Sequence, residues 1–336
     1  MNAIRKAMLE GKRHSACNHC YDLEDRGITS PRQIETSFWQ EDHLVKSLEE
    51  NIDITKRKLP LHPISHDIRF SNTCSLKCRT CIPSNSSAIN AENHKFNFPT
   101  KTFPMFSAIE NQNTNEVDSI PISEKTKWIY LVGGEPLVEE KNTNLLEKVS
   151  KLDIDPVIVI NTSMARKNNK LKEVLKNFTK VNYIVSIDAY GKLNNYIRSG
   201  SQWENVVKNL NSFDPKEIGG FNTVISMYNV HQITPIIEWV ARNYPNKHHF
   251  ISRAIDHKPT ELQNVPHIMR EKIINECLSL FSQYKHHGLQ DIATFLSENN
   301  YSETGFQQFI EFTKELDQRR KESIIDAEPL WSPYFT

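Results

Sequence analysis

The strongest constraint on the fold is a regular alternation of strand-like and helix-like segments that begins near residue 127. β-Branched runs such as Pro156–Ser163 alternate with amphipathic helical patterns such as Asn142–Leu152. Strands that alternate with helices form a parallel sheet with the helices packed outside it. Counting from an entry strand that ends at Phe70, we expect six strands. The sequence therefore predicts an α/β fold, a partial (βα)6 TIM-like barrel with helical N- and C-terminal extensions.

The same patterns divide the chain into three expected segments. Residues 1–60 are polar with helical spacing of their apolar positions, residues 61–256 carry the alternation, and residues 257–336 return to helical patterns. Residues 90–123 are rich in Asn, Pro, Thr and Ser, so we expect a long irregular excursion there. In parallel α/β folds the chemistry lies at the carboxyl ends of the strands, so the strand exit loops are the places to search.

Composition excludes several classes of function. The chain has 41 Lys and Arg against 41 Asp and Glu, which argues against a nucleic-acid or acidic-membrane partner. No apolar run reaches the roughly 18 residues of a membrane span, and the N-terminus lacks the apolar core of a secretory signal. We therefore expect a cytoplasmic protein. In a reducing compartment clustered cysteines are more typical of metal binding or catalysis than of disulfides.

Three of the six cysteines lie within eight residues, directly after the first predicted strand. Cys74, Cys78 and Cys81 have the spacing C-x3-C-x2-C. A structural zinc ion takes four ligands, usually in two short-spaced pairs, whereas a cubane of four irons and four sulfides takes one thiolate per iron. Three cysteines leave one iron of such a cluster open to a substrate or a second cofactor. A zinc site completed by a histidine is the alternative.

This cysteine spacing, followed by the GGEP motif at Gly133–Pro136, resembles the radical S-adenosylmethionine (radical SAM) superfamily. The resemblance extends from residue 64 to about residue 256 and implies a 4Fe–4S cluster on Cys74, Cys78 and Cys81. It implies that S-adenosylmethionine chelates the open iron and is cleaved reductively to methionine and a 5′-deoxyadenosyl radical, which abstracts hydrogen from a substrate. The electron would come from an external donor of the flavodoxin or ferredoxin type.

The resemblance also implies residues that hold S-adenosylmethionine, with the GGEP motif near the methionine amino group. Arginine suits a carboxylate because its planar fork is bidentate and always charged. An ordinary turn at the glycines, an N-cap at the aspartate, turn-forming asparagines and a surface arginine are the alternatives. Thr80 stands where many relatives have an aromatic residue beside the adenine. The expected cofactor-binding residues are Gly133, Gly134, Glu135, Pro136, Asn161, Ser186, Asp188, Arg198 and Asn229.

A second motif, C-x2-C at Cys17 and Cys20, lies near the N-terminus. Its surroundings resemble radical SAM proteins with a twitch-type auxiliary cluster domain, and Leu316–Pro329 resembles their C-terminal end. Two cysteines cannot hold a four-iron cluster. The pair is interpreted as a remnant of an auxiliary site, as a metal site completed by a histidine or a partner chain, or as a redox pair; we favour the first. Cys277 lies in an apolar helical pattern and is expected to be a buried structural thiol.

The sequence as a whole predicts a radical SAM enzyme. Relatives of the twitch and SPASM type modify peptides, proteins and small molecules, so a peptide or a small metabolite is the expected substrate class. Tyr183, Tyr190 and Tyr196 lie near the expected cofactor edge, although packing explains them equally well. Two alternatives stay open: a catalytically degenerate cofactor-binding protein of the same fold, and a zinc-stabilised α/β binding protein.

Overall fold

The computed structural model describes residues 2–25, 27, 29–40, 63–96, 103–109 and 116–335. The chain divides into two units, Met1–Leu61 and His62–Thr336. Within the described residues no helix is both long enough and apolar enough to cross a membrane.

The described part of the N-terminal unit is helical, with α1 at Asn2–Leu9, α2 at Asn18–Asp25 and α3 at Pro31–Gln40. Ser30 caps α3, because its hydroxyl accepts from the backbone N–H of Gln33 while the Gln33 side chain accepts from the N–H of Ser30. This reciprocal pair is a capping box, and Pro31 suits the first helical position.

Six strands form one sheet in the second unit, and every neighbouring pair is parallel. They follow one another across the sheet in chain order, which confirms the predicted partial (βα)6 architecture. Their carboxyl ends therefore meet along one edge, where Ser186 of one strand lies beside Asn222 of the next. The strands are β1 at Ser65–Ile68, β2 at Trp128–Leu131, β3 at Val157–Thr162, β4 at Val181–Ser186, β5 at Ile218–Ile225 and β6 at His248–Arg253.

Helices cover the outer face of the sheet, as the amphipathic patterns predicted. The outward-facing positions Ile129, Leu131, Ile158, Ile160 and Val185 are fully buried beneath them. Burial of this apolar area is the main stabilising term for such a layer. The helices that follow the strands are α4 at Ser87–Phe96, α5 at Glu140–Val149, α6 at Asn169–Leu175, α7 at Gly191–Ile197, α8 at Trp203–Leu210 and α9 at Ile233–Asn243.

The C-terminal part of the second unit is helical, as expected. Helices α10 at His267–Tyr284, α11 at His287–Ser297, α12 at Glu303–Arg320 and α13 at Ile324–Ala327 enclose a second apolar core. Cys277 is fully buried there, and burial raises the pKa of its thiol to about 12.

Helix α4 extends into the stretch expected to be irregular, so that expectation is wrong for residues 90–96. The hydroxyl of Ser86 accepts from the N–H of Ile89 at 3.3 Å and so supports the first turn. Two asparagines of the helix bind the chain beyond it: Asn93 donates to the carbonyl of Phe106 at 2.7 Å, and Asn90 accepts from the N–H of Ile109 at 2.8 Å. The polar residues thus fasten a helix rather than mark a loop.

Candidate metal and cofactor site

The strand exits surround a cavity of about 340 Å3 at the carboxyl edge of the sheet. Most of the residues predicted from the sequence line this one cavity. They are Cys74, Cys78, Cys81, Gly133, Gly134, Glu135, Asn161, Ser186, Asp188 and Arg198. Pro136 and Asn229 are not among the lining residues.

The loop that carries the three cysteines is held by backbone hydrogen bonds to the end of α7. The N–H of Lys77 donates to the carbonyl of Ser199 at 2.8 Å, and the N–H of Arg79 donates to the carbonyl of Ile197 at 2.7 Å. These two acceptors flank Arg198 in the chain. The cysteine loop is therefore fixed relative to a cationic residue of the cavity.

The glycines of the GGEP motif pack against the backbone of the cysteine loop. A Cβ at Gly134 would lie 2.3 Å from the carbonyl oxygen of Thr73, closer than real Cβ contacts. At Gly133 it would lie 2.9 Å from the carbonyl oxygen of Ser71, and φ is +117°. The N–H of Glu135 also donates to the Thr73 carbonyl, at 2.8 Å. The need for glycine here thus comes from one loop passing against another.

The three thiols are partly exposed to the cavity and lie in surroundings that favour their protonated form. Burial raises the pKa of Cys81 to about 11 and raises the pKa values of Cys74 and Cys78 as well. The positive charge of the Arg198 guanidinium acts in the opposite direction and lowers the pKa of all three thiols. The N–H of Leu76 lies 3.4 Å from the sulfur of Cys74 and donates to it.

A single metal ion and an iron–sulfur cluster need different arrangements of the same donor side chains. Among the described residues no group of three His, Cys, Asp or Glu side chains is arranged to hold a single metal ion. An iron–sulfur cluster takes its thiolates on separate irons, and its properties respond to N–H donors and charges near the sulfurs. Three thiols on one loop, the Leu76 N–H at sulfur and the nearby Arg198 cation fit a cluster of this kind.

Arg198 and Asp188 form an ion pair in the cavity wall. Arg198 Nε lies 2.9 Å from Asp188 Oδ2, and the two side chains are 12% and 1% exposed. Burial favours neutral arginine, but the acidic groups nearby, Asp188 foremost, outweigh it and raise the pKa of Arg198. Asp188 Oδ1 also accepts from the N–H of Val224 at 3.1 Å. The N-cap of α7 is Tyr190, so Asp188 serves as the counter-ion of Arg198 rather than as a cap.

Glu135 places a buried carboxylate at the cavity, with 3% of the residue exposed. Its Oε1 accepts from the Thr162 hydroxyl at 2.6 Å, and its Oε2 accepts from the N–H of Ser163 at 3.0 Å. The Ser163 hydroxyl and the N–H of Leu137 also donate to it. All four donors are uncharged. A buried anion supported in this way suits a cationic group on a ligand.

Two of the predicted asparagines have different surroundings. Asn161 lines the cavity and accepts from the Ser186 hydroxyl at 2.8 Å. Asn229 is buried, and its amide donates to the carbonyls of Asp188 and Val224 at 2.5 and 2.9 Å. Its oxygen accepts from the N–H of Ser226 at 2.7 Å. These hydrogen bonds give Asn229 a supporting role beneath the Asp188 backbone.

Thr80, the position where many relatives have an aromatic residue, also lines the cavity, whereas Tyr183, Tyr190 and Tyr196 are not among its lining residues. Cys17 and Cys20 belong to the N-terminal unit and are free, partly exposed thiols, so their role stays a prediction. Tyr183 packs on Phe213, and half-exposed Tyr190 packs on Trp203. The third tyrosine, Tyr196, lies under the guanidinium of Arg79.

Several lining residues were missed by the sequence analysis. Thr162 lies at the exit of β3, one of the places where the site was expected, but Ser163 directly after it was missed, although its position at the polar end of the strand was an available signal. Asn222 faces the cavity from inside β5, and Asn85 and Ser86 face it from the segment after the third cysteine. No local pattern distinguishes these three from ordinary polar residues.

Comparison with known proteins gives structural likenesses only. No family model and no curated protein sequence matches the chain. Among solved structures, the chain is similar to Streptococcus suis SuiB bound to precursor peptide SuiA, at 14% identity and a TM-score of 0.46 over 82% of this chain and 68% of that one. It is also similar to anSMEcpe with bound AdoMet, at 14% identity and a TM-score of 0.45 over 66% of this chain and 60% of that one. The chain thus spans about three fifths to two thirds of these proteins.

Proposed function

We propose that the protein is a radical SAM enzyme that starts its reaction by abstracting hydrogen from a peptide or small-metabolite substrate. The observation that carries the proposal is the meeting of three thiols, a buried carboxylate and a buried guanidinium around one cavity at the carboxyl edge of a parallel sheet. The sequence resemblance supplies the reaction class. When bound there, a 4Fe–4S cluster and S-adenosylmethionine supply an electron and then a carbon radical.

Cys74, Cys78 and Cys81 are the residues that would hold the cluster. Their raised pKa values mean that the metal-free thiols are protonated near neutral pH. Cluster binding must therefore displace protons, and the Arg198 cation assists because it favours thiolates. Assembly should become easier as the pH rises toward the thiol pKa values.

Glu135 and Arg198 would hold the amino and carboxylate groups of the methionine part. The two groups have opposite charge and line the same cavity, so they match a zwitterion. Asp188 balances part of the Arg198 charge, which limits the cost of burying that cation before a ligand arrives. Asn161 and Ser186 add neutral polar groups in the same wall.

The test is anaerobic reconstitution with iron and sulfide, followed by reduction, addition of S-adenosylmethionine and chromatography for 5′-deoxyadenosine. The wild-type protein should form it. Cys78→Ala should abolish both cluster binding and cleavage, whereas the matched change Cys17→Ala in the other unit should leave both intact.

Three results would contradict the proposal. Cleavage retained in Cys78→Ala would remove the proposed cluster site. A cofactor that binds without being cleaved, even with candidate peptides present, would favour a degenerate binding protein. Zinc in place of iron would favour the zinc-stabilised alternative.

A further inference from the structure

Arg79 lies between the second and third cysteines, and its side chain is fully buried. Its Nη2 is 2.6 Å from Asp317 Oδ1 and 2.6 Å from Glu322 Oε2. Its Nε donates to the carbonyl of Tyr196 at 3.0 Å, and its guanidinium lies 3.7 Å from the centre of the Tyr196 ring. One side chain of the cysteine loop thus contacts both the C-terminal segment and α7.

The two carboxylates are themselves held in place. Asp317, near the end of α12, also accepts from the Tyr196 hydroxyl at 2.8 Å and from the N–H of Ile324 at 2.9 Å. Glu322 also accepts from the Ser199 hydroxyl at 2.5 Å. These contacts join α12, the end of α7 and the cysteine loop into one hydrogen-bonded unit around Arg79.

A second bridge runs parallel to the first. Arg320 donates to Glu92 at 2.7 Å and to the carbonyl of Lys77 at 2.8 Å, and the Lys77 ammonium also binds Glu92 at 2.7 Å. Between the bridges, Cys78 and Cys81 pack toward α12 and share with it a cavity of only about 10 Å3. The back of the cysteine loop is closely packed against the C-terminal helix.

Packing alone does not call for this arrangement. Burying the Arg79 guanidinium against two carboxylates that are only partly exposed is costly, and apolar residues of similar volume are often as stable or more so. What apolar residues cannot supply is the directional contact of a rigid fork with three fixed partners. The backbone of Lys77 and Arg79 also donates to the carbonyls on either side of Arg198. The Arg79 contacts would therefore fix the cysteine loop relative to Arg198.

We propose that Arg79, with Asp317 and Glu322, is a positioning residue that fixes Cys78 and Cys81 relative to Arg198. The cluster part of this inference rests on the proposed function, but the holding of the loop does not. Removing the three charges together should free the cysteine loop. The C-terminal segment therefore belongs to the structure of the metal site.

The test compares two variants with the wild type. Arg79→Met combined with Asp317→Asn and Glu322→Gln removes the three charges as a set, and the amide oxygen introduced by Asp317→Asn still offers an acceptor to the Ile324 N–H. Arg79→Lys keeps the charge but loses the fork. The control is Arg270→Lys, because Arg270 is also buried and donates to the carbonyls of Val265 and Gln263, away from the cysteine loop.

The first readout is hydrogen exchange in the metal-free protein over residues 74–82. Loss of charged hydrogen bonds should speed exchange at the Lys77 and Arg79 amides by at least about tenfold in both variants, with no change in Arg270→Lys. If either folded variant protects the loop as the wild type does, the inference is wrong. Should the triple variant not fold, Arg79→Lys alone decides.

The second readout is the electron paramagnetic resonance spectrum and reduction potential of the reconstituted cluster. Both should shift in the two variants and match the wild type in Arg270→Lys, because a purely structural role would leave them unchanged once the protein folds. Wild-type spectra and potentials in the variants would overturn the positioning role. If the wild type assembles no cluster while exchange still changes, the proposed function fails and the loop contact stands.

Discussion

Gly134→Ala tests whether the close contact between Gly134 and the cysteine loop is needed for the metal site, apart from any general loss of stability. The new methyl group would lie 2.3 Å from the Thr73 carbonyl oxygen and 2.6 Å from the backbone of Asn72. Both neighbours are backbone atoms of the cysteine loop, so they cannot move aside as a flexible side chain could. Overpacking of this kind costs about 1–3 kcal/mol of unfolding free energy, and here the strain falls on the loop that carries Cys74.

The matched control is Gly191→Ala. Gly191 has φ of +61° and nothing within 4 Å of an added Cβ. Alanine there is destabilised by its backbone conformation alone, by about 1–2 kcal/mol. The two variants should therefore lose similar free energy of unfolding in urea titrations of the metal-free protein.

Only one of them should lose iron. After anaerobic reconstitution and gel filtration, we expect Gly134→Ala to retain less than half of the wild-type iron and Gly191→Ala to retain all of it. If Gly134→Ala keeps wild-type stability and iron, the close contact between the Gly134 backbone and the cysteine loop does not exist. Equal iron loss in both variants would refute it as well, since general destabilisation would then explain the effect.

Three further predictions concern the cavity wall and the core. Asn229→Ala should cost about 1–3 kcal/mol of unfolding free energy, because it leaves buried carbonyls unpaired. Asn161→Ala should instead weaken S-adenosylmethionine binding, measured by calorimetry. The reverse pattern would contradict a supporting role for Asn229 and a place in the cavity wall for Asn161. Asp188→Asn should cost about 3–5 kcal/mol in urea unfolding because Arg198 loses its buried counter-ion, and a neutral result would argue against that pairing. Burial lowers the pKa of His249 to about 3, so folding opposes its protonation. The free energy of unfolding is therefore unaffected by His249 above its unfolded pKa of about 6.5 and should fall by about 2 kcal/mol between about pH 7 and about pH 5. This loss of stability should be smaller in His249→Phe.

The strand order and the cysteine loop could be predicted because both depend on patterns within short stretches of the sequence. Each strand is a short apolar run bounded by polar residues, and parallel strands must end at one edge. Cys74 and Gly133 lie in the exit loops of two different strands, so their meeting at one cavity follows from topology, whereas Arg198 ends helix α7 and its place there depends on how that helix packs.

The partners of these residues could not be predicted, because they depend on contacts between distant parts of the chain. Arg79 and Asp317 are 238 positions apart, and nothing near either residue indicates the other. Asn161 and Asn229 both follow apolar strands, yet only the first faces the cavity. The glycines of GGEP were expected to bind the cofactor. In the structure they are also needed because the backbone of the cysteine loop packs directly against them.

Whether the three cysteines hold a 4Fe–4S cluster that binds S-adenosylmethionine is tested by electron paramagnetic resonance of the reduced, anaerobically reconstituted protein, with and without S-adenosylmethionine. We predict about four irons per chain and the spectrum of a reduced 4Fe–4S cluster. That spectrum should change when S-adenosylmethionine binds, because three cysteines leave one iron open. A protein that holds zinc or no iron, or a cluster whose spectrum does not change when S-adenosylmethionine is added, would contradict a radical SAM function.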